Sequence, residues 1–212
     1  MPNDFDGVTA LFSPGVSDNW SFEEDLSTRY GVPAFLCDRH VQVSRCPFPV
    51  DDFWIGPATA GDLVTLEHWV DMRDPDQHGD LVLQMDIEDA EYLALLTCSR
   101  QTLNRFRILI VELHGLHRLL QQDWLRSIGL PTLEKLAELF EVVHLHPNNA
   151  APVDTRMGIE IPVTVEVTYH RKDRVTRGSG NANLPHLLDR PNVPTKEDIR
   201  LSEYWAPRSP AY

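Results

Sequence analysis

One pattern restricts this chain more than any other. Between residues 8 and 146, apolar runs of strand length alternate with segments of helical spacing, and each run closes on residues that carry chemistry. Residues 8–12 end in Ser13-Pro14-Gly15, 32–37 in Asp38, 81–85 in Asp86 and Glu88, 106–113 in Glu112 and His114, and 142–146 in His144, His146 and Asn148. Near-continuous apolar runs are strands buried on both faces, and strands alternating with helices fold into a doubly wound parallel sheet. Ligands of open α/β sheets bind beyond the carboxyl ends of the strands. The pattern therefore predicts a Rossmann-like α/β architecture and the edge on which to look for a site. Residues 161–169 alternate apolar and polar, which predicts a late antiparallel strand exposed on one face of the mostly parallel sheet.

Between the strands the helical signals are local. A helix over about 21–29 has Phe22 and Leu26 on one face, acidic residues in its first turn, Ser17 or Asn19 as cap and Gly31 as its stop. Residues 63–70 read as a short helix, and 88–97 as a longer one with Ala90, Leu93, Ala94 and Leu96 turned inward. A long helical stretch carries Leu116, Leu119, Leu120 and Trp124, and Pro131 opens a helix over 132–140. Residues 44–62, with three prolines, read as an irregular connection. After Arg171 periodicity fades, so residues 1–170 are expected to form the domain and 171–212 a C-terminal extension that packs on a neighbour.

The net charge of -13 and pI near 5.0 argue against nucleic acid or an anionic membrane as the main partner. No run of eighteen apolar residues occurs and the N-terminus is acidic, so a cytoplasmic protein is expected. Three cysteines, Cys37, Cys46 and Cys98, lack CxxC spacing, which indicates neither a disulfide framework nor a zinc knuckle.

Strand, glycine turn, helix, strand, acid is the order of half a nucleotide-binding sheet, in which the acid holds ribose hydroxyls. Asp38 lies 23 residues after Gly15. A surface turn and a solvated carboxylate fit these residues equally well, because only one glycine of the usual fingerprint is present.

The run Asp86-Ile-Glu-Asp-Ala-Glu91 resembles the D-[IV]-E-G-A-E motif of FkbM-type methyltransferases, a class I S-adenosylmethionine-dependent fold. Thr65-Leu66-Glu67-His68-Trp69 is similar to that family's "tLD-x-[WL]" segment, Ile110 to His114 to its "vxvExH" strand, and residues 13–23 to its cofactor loop. Two positions depart from the pattern: Asp89 stands where the family has glycine, and Pro14 lies in the cofactor turn. The chain also begins a few residues before its first strand, so a cap from the tail or from a second copy in a homo-oligomer is expected to exclude water.

The resemblance implies S-adenosylmethionine as cofactor, transfer to the hydroxyl of a small molecule or glycan, and cofactor contacts at Ser13, Gly15, Val16, Ser17, Asn19, Asp38 and Asp86. It places Asp86 beside the reacting sulfur. Methyl transfer is an in-line displacement that needs an aligned nucleophile and a destination for its proton. Asp86, His114 and His146 are the catalytic candidates, with Glu112 as an orienting carboxylate and His144 as a further imidazole that could equally be structural. Asp86, Glu112, His114 and His146 also make an oxygen and imidazole set that suits a divalent cation, though their spacing does not demand one. Trp20, Phe22 and Trp54 are aromatics that fit either adenine stacking or the core. The other reading of the same fold is a catalytically inactive binding or scaffold subunit.

Overall fold

The computed structural model describes residues 4–39, 45–74, 76, 79–156, 158–175, 184–202 and 205. Its strands are β1 (Val8–Pro14), β2 (Ala34–Cys37), β3 (Val50–Asp51), β4 (Trp54–Ile55), β5 (Leu63–Val64), β6 (Asp80–Met85), β7 (Phe106–Leu113), β8 (Phe140–Pro147), β9 (Val153–Arg156), β10 (Ile159–Pro162) and β11 (Val165–Arg171). Its helices are α1 (Ser21–Tyr30), α2 (Leu66–Arg73), α3 (Glu91–Thr97), α4 (Arg100–Leu103), α5 (Gln122–Trp124) and α6 (Leu130–Leu139).

Seven strands form one sheet in the order β3-β2-β1-β6-β7-β11-β8. The first five run parallel; β11 runs antiparallel to both of its neighbours and so leaves β8 parallel to the rest. The expected α/β sheet with a late reversed strand is the one observed. Two details differ from the sequence reading. Residues 161–169 are not one strand, since β10 pairs with β9 in a separate hairpin and only β11 enters the sheet. Flanked on both sides, β11 is buried along most of its length rather than exposed on one face.

Alternating side chains divide the core in two. On one face Phe12, Leu83, Met85, Leu109, Val111 and Val167 meet α2, α3 and α6 through Trp69, Tyr92, Leu95 and Leu136. On the other, Leu11, Val82, Ile108 and Ile110 meet α1 through Leu26. Trp69 and Tyr92 are the largest fully buried side chains, so this first face supplies much of the hydrophobic stabilisation.

Local chemistry explains where the helices start and stop. Gly31 ends α1 in the left-handed region at φ 68°, its N–H donating to the Ser27 carbonyl. Neither predicted cap bonds as an N-cap side chain; Trp20 holds that position, while Asn19 Oδ1 accepts from Ser21 N. The Thr65 hydroxyl caps α2 by accepting from His68 N, and residues 63–64, expected as helix, pair with β4 instead. α3 begins only at Glu91 and turns Tyr92, Ala94 and Leu95 inward, while Leu93 faces out. Its last carbonyls are covered by the buried Lys135, whose ammonium donates to Leu95 O, Leu96 O and Cys98 O. The stretch expected as one long helix is a 3-10 turn at Leu116–Leu120, then α5, then a π segment at Leu125–Gly129 that runs into α6.

Candidate functional site

The carboxyl ends of β1, β2, β6, β7 and β8 share one edge, and the polar residues singled out by sequence gather there. The turn after β1 is pressed directly on the end of β6. Asp86 N donates to Pro14 O at 3.1 Å, and Gly15, at φ +83°, leaves no room for a side chain: a Cβ built there would lie 1.6 Å from Asp86 O. Glycine is therefore required twice, by conformation and by space. Pro14 is harmless here because it is the last residue of β1 and needs no ladder donor.

Across the turn stands Asp38, at the end of β2, 9% exposed; its Oδ2 accepts from Ser17 N at 3.3 Å. Ser17 itself is left-handed, at φ 51°. Gly15, Val16, Ser17 and Asp38 thus form one small cradle, with Asn19 exposed at its rim and Asp86 at its base. Ser13 plays a different part. Its side chain is fully buried, with Oγ 2.5 Å from Glu23 Oε1 and 2.7 Å from Gln84 Oε1. Burial raises the Glu23 carboxyl above its usual range, against the opposing hydrogen bond from Ser13.

The second group lies at the ends of β6 and β7. His114 Nδ1 is 2.9 Å from Glu91 Oε1, and its Nε2 faces Asp86 Oδ1 at 3.8 Å and Glu88 Oε2 at 3.6 Å. Glu91 is fully buried and also accepts from Ile87 N and Asp89 N, both at 3.2 Å. Those two bonds hold a strained turn, since Glu88 and Asp89 are left-handed at φ 50° and 85°. Non-glycine residues held in this region cost about 1–3 kcal/mol each. The Asp89 carboxylate turns to Arg118, which neutralises it.

Electrostatics separate the titrating groups. Burial, then the charge of the neighbouring Glu112, raises the Asp86 carboxyl to about 7. For His114 burial opposes the charge, but the bond to Glu91 and the nearby carboxylates outweigh it and lift the imidazole to about 9. Asn148 Nδ2 donates to Glu112 Oε1 at 2.6 Å and fixes that side of the pair.

Beyond Glu112 the sheet face opens. Glu112, Glu166 and His146 are in-register neighbours on β7, β11 and β8, and with His144, Thr168 and Arg190 they line a cavity of about 640 Å³. Residues 184–202 lie across it as a strap. His144 Nε2 meets Asp189 Oδ1 at 2.9 Å and His146 Nε2 meets Asp198 Oδ2 at 3.0 Å. The buried Asn149 clasps the strap with both ends of its amide, accepting from Val193 N and donating to the carbonyls of Val193, Lys196 and Glu197.

Asp86 and His114 are thus brought together, whereas His146 is engaged by the strap two strands away and touches neither. Trp20 and Phe22 pack at the edge of the second core, and Trp54 lies under the Arg39 guanidinium, 5.0 Å from its ring centroid. Sequence reasoning missed Glu91 as a site residue, naming it only as the last acid of the run 86–91; it is buried at the start of α3. It also missed Asp189 and Asp198, which lie in a stretch without periodicity.

No protein-family model matches the chain, and no curated protein does. Among solved structures, one from Shewanella sp. PV-4 named as a riboflavin biosynthesis protein is 14% identical, aligned over 81% of this chain and 83% of its own, with a TM-score of 0.30. At that level it carries no argument about chemistry.

Proposed function

We propose that this protein is an S-adenosylmethionine-dependent methyltransferase acting on a hydroxyl of a small molecule or glycan. The observation that carries the reading is the cradle between β1, β2 and β6: a glycine that no other residue can replace, closed against Asp86, with the carboxylate of Asp38 on the opposite wall. The residues fit the cofactor. The exposed Ser17 turn and Asp38 suit a ribose with two hydroxyls, and the acidic end of β6 suits a sulfonium.

When bound, that cofactor supplies an electrophilic methyl group on a positively charged sulfur. The chain's own residues do the rest. Gly15 lets backbone approach without a Cβ, and Asp38 fixes the orientation of the ribose. Asp86, with its raised pKa and its partner Glu112, accepts the acceptor's hydroxyl proton near neutral pH, where a general base works best. His114, held by Glu91, places its imidazole beside Asp86 at the same edge. The cavity under the strap opens beside Glu112 and accommodates the acceptor. Asp89, which departs from the resembling pattern, has its charge paired by Arg118.

Calorimetry with S-adenosylhomocysteine tests the reading. Binding in the micromolar range is expected, with at least a tenfold loss in Asp38→Ala while the circular dichroism melt stays cooperative; no heat with either form of the cofactor sinks it. Labelled methyl incorporation into hydroxylated acceptors then separates an enzyme from a scaffold that only binds the cofactor.

A further inference from the structure

We propose that His114, Asp86 and Glu88 form a binding site for a first-row divalent cation such as Mn²⁺ or Co²⁺, with Glu91 as the residue that positions the imidazole. The site stands on the geometry; its part in methyl transfer rests on the reading above.

Three donors converge. His114 Nε2 lies 3.8 Å from Asp86 Oδ1 and 3.6 Å from Glu88 Oε2, too far for hydrogen bonds. Donors that share one cation at metal–ligand distances near 2.1 Å stand about 3 to 3.5 Å apart. The imidazole therefore has to close on each carboxylate by only a few tenths of an ångström, and the Glu88 side chain, 86% exposed, has the freedom to swing toward Asp86.

Two buried carboxylate oxygens of the residues around this imidazole lack partners. Asp86 Oδ1 and Glu91 Oε2 are both inaccessible to solvent and accept no hydrogen bond among the described residues, although the Glu91 side chain is 0% exposed. Buried carboxylate oxygens are ordinarily satisfied, so two orphans beside one imidazole call for a missing positive group. Ligand atoms of Asp86, Glu91 and His114 all lie within 4.8 Å of one another. Charge points the same way: Asp86, Glu88, Glu91 and Glu112 surround a single imidazole, and the ion pairs of the described residues bring no Lys or Arg to any of the four. Arg118, the nearby cation, is taken by Asp89.

The orientation of the ring supplies the last element. With Nδ1 turned to Glu91, Nε2 faces the gap, and a cation bound there would take the place of its proton, as in the carboxylate–histidine–metal arrangement in which an outer carboxylate orients the ligating ring. One nitrogen and two oxygen ligands favour borderline first-row ions over calcium, and leave positions open for water or an acceptor's oxygens. A cation there would lower the pKa of a bound hydroxyl, whose proton would pass to the adjoining Asp86–Glu112 pair.

The test is a Mn²⁺ titration of metal-stripped, full-length protein without cofactor, read by electron paramagnetic resonance. One saturable site per chain is expected. Affinity should fall at least tenfold in Glu88→Gln, by about 10- to 100-fold in Glu91→Gln through loss of the outer carboxylate, and below detection in His114→Ala. Asp198→Asn, on the strap, should bind as wild type. Absence of a saturable site, or unchanged affinity in Glu88→Gln and His114→Ala, overturns the proposal. Where a buried-site variant does not fold, Mn²⁺ broadening of the wild-type His114 ring protons decides: broadening there supports the site and broadening elsewhere only refutes it. Calorimetry with S-adenosylhomocysteine is run separately, so a cation site without cofactor binding would fail the methyltransferase reading and leave this one standing.

Discussion

At the scale of single residues, Gly15 and Asp89 show opposite ways of meeting the same backbone demand. Both sit at positive φ, near 83° and 85°. Gly15 meets it with no side chain, and any Cβ would collide with the Asp86 carbonyl. Gly15→Ala is therefore expected to lose about 1–3 kcal/mol from conformation alone, with a further loss from the displaced end of β6; urea unfolding and cofactor calorimetry would both register it, and wild-type values in both would contradict this account. Asp89 accepts the strain and is held by Arg118 and by the bond from its N–H to Glu91. The need for Gly15 was legible in the sequence as a turn between strand and helix. The compensation at Asp89 was not, because it depends on Arg118, 29 positions away, being brought back by the 3-10 turn after β7.

At the scale of elements, legibility followed hydrophobic periodicity. β1, β2, β6, β7 and β8 were readable because each is an apolar run, and their carboxyl ends located Asp38, Asp86 and His114 correctly on one edge. The segment after β7 was misread as a single helix: leucines recur at nearly helical spacing, but the backbone tightens and then widens along it, with Trp124 set edge-on to the buried Tyr92. A cap from the tail was among the expectations, but the course of the strap was not legible, since residues 184–202 are fixed by polar side chains rather than by an apolar stripe. Asn149 is the residue that holds it. Asn149→Ala removes a buried acceptor and its donors, a loss of about 1–3 kcal/mol, and should release the strap without unfolding the sheet. Amide exchange over 185–200 is expected to accelerate while β6 and β7 remain protected; uniform acceleration would mean the strap is part of the global fold.

At the scale of the molecule, the edge opposite the site is an ionic girdle. Arg107 meets Asp4 and Asp80, Arg171 meets Asp80 and Asp173, and Arg174 meets Asp4. The Arg174 hydrogen bond holds the Asp4 carboxyl well below its usual range despite burial. At Asp80 burial works in the other direction, but Arg171 and Arg107 outweigh it and the carboxyl is again lowered. Folded values below the unfolded one contribute stability that is present above about pH 4, the ordinary carboxylate range, and is lost as pH falls through the lowered values. Urea midpoints should therefore decline from about pH 4 toward pH 2, and the decline should be shallower in Arg171→Met. An acid limb identical in wild type and Arg171→Met would show that the girdle does not set acid stability. Among the described residues no helix is long and apolar enough to cross a membrane.

The bond between Asp4 and Arg174 spans 170 positions and joins the residues just before the first strand of the sheet to those just after its last. The sheet is thus a closed circuit whose start and finish are fastened at one corner. Fraying cannot begin at a loose end, because loosening either terminus of the sheet unfastens the other, and the two must give way together.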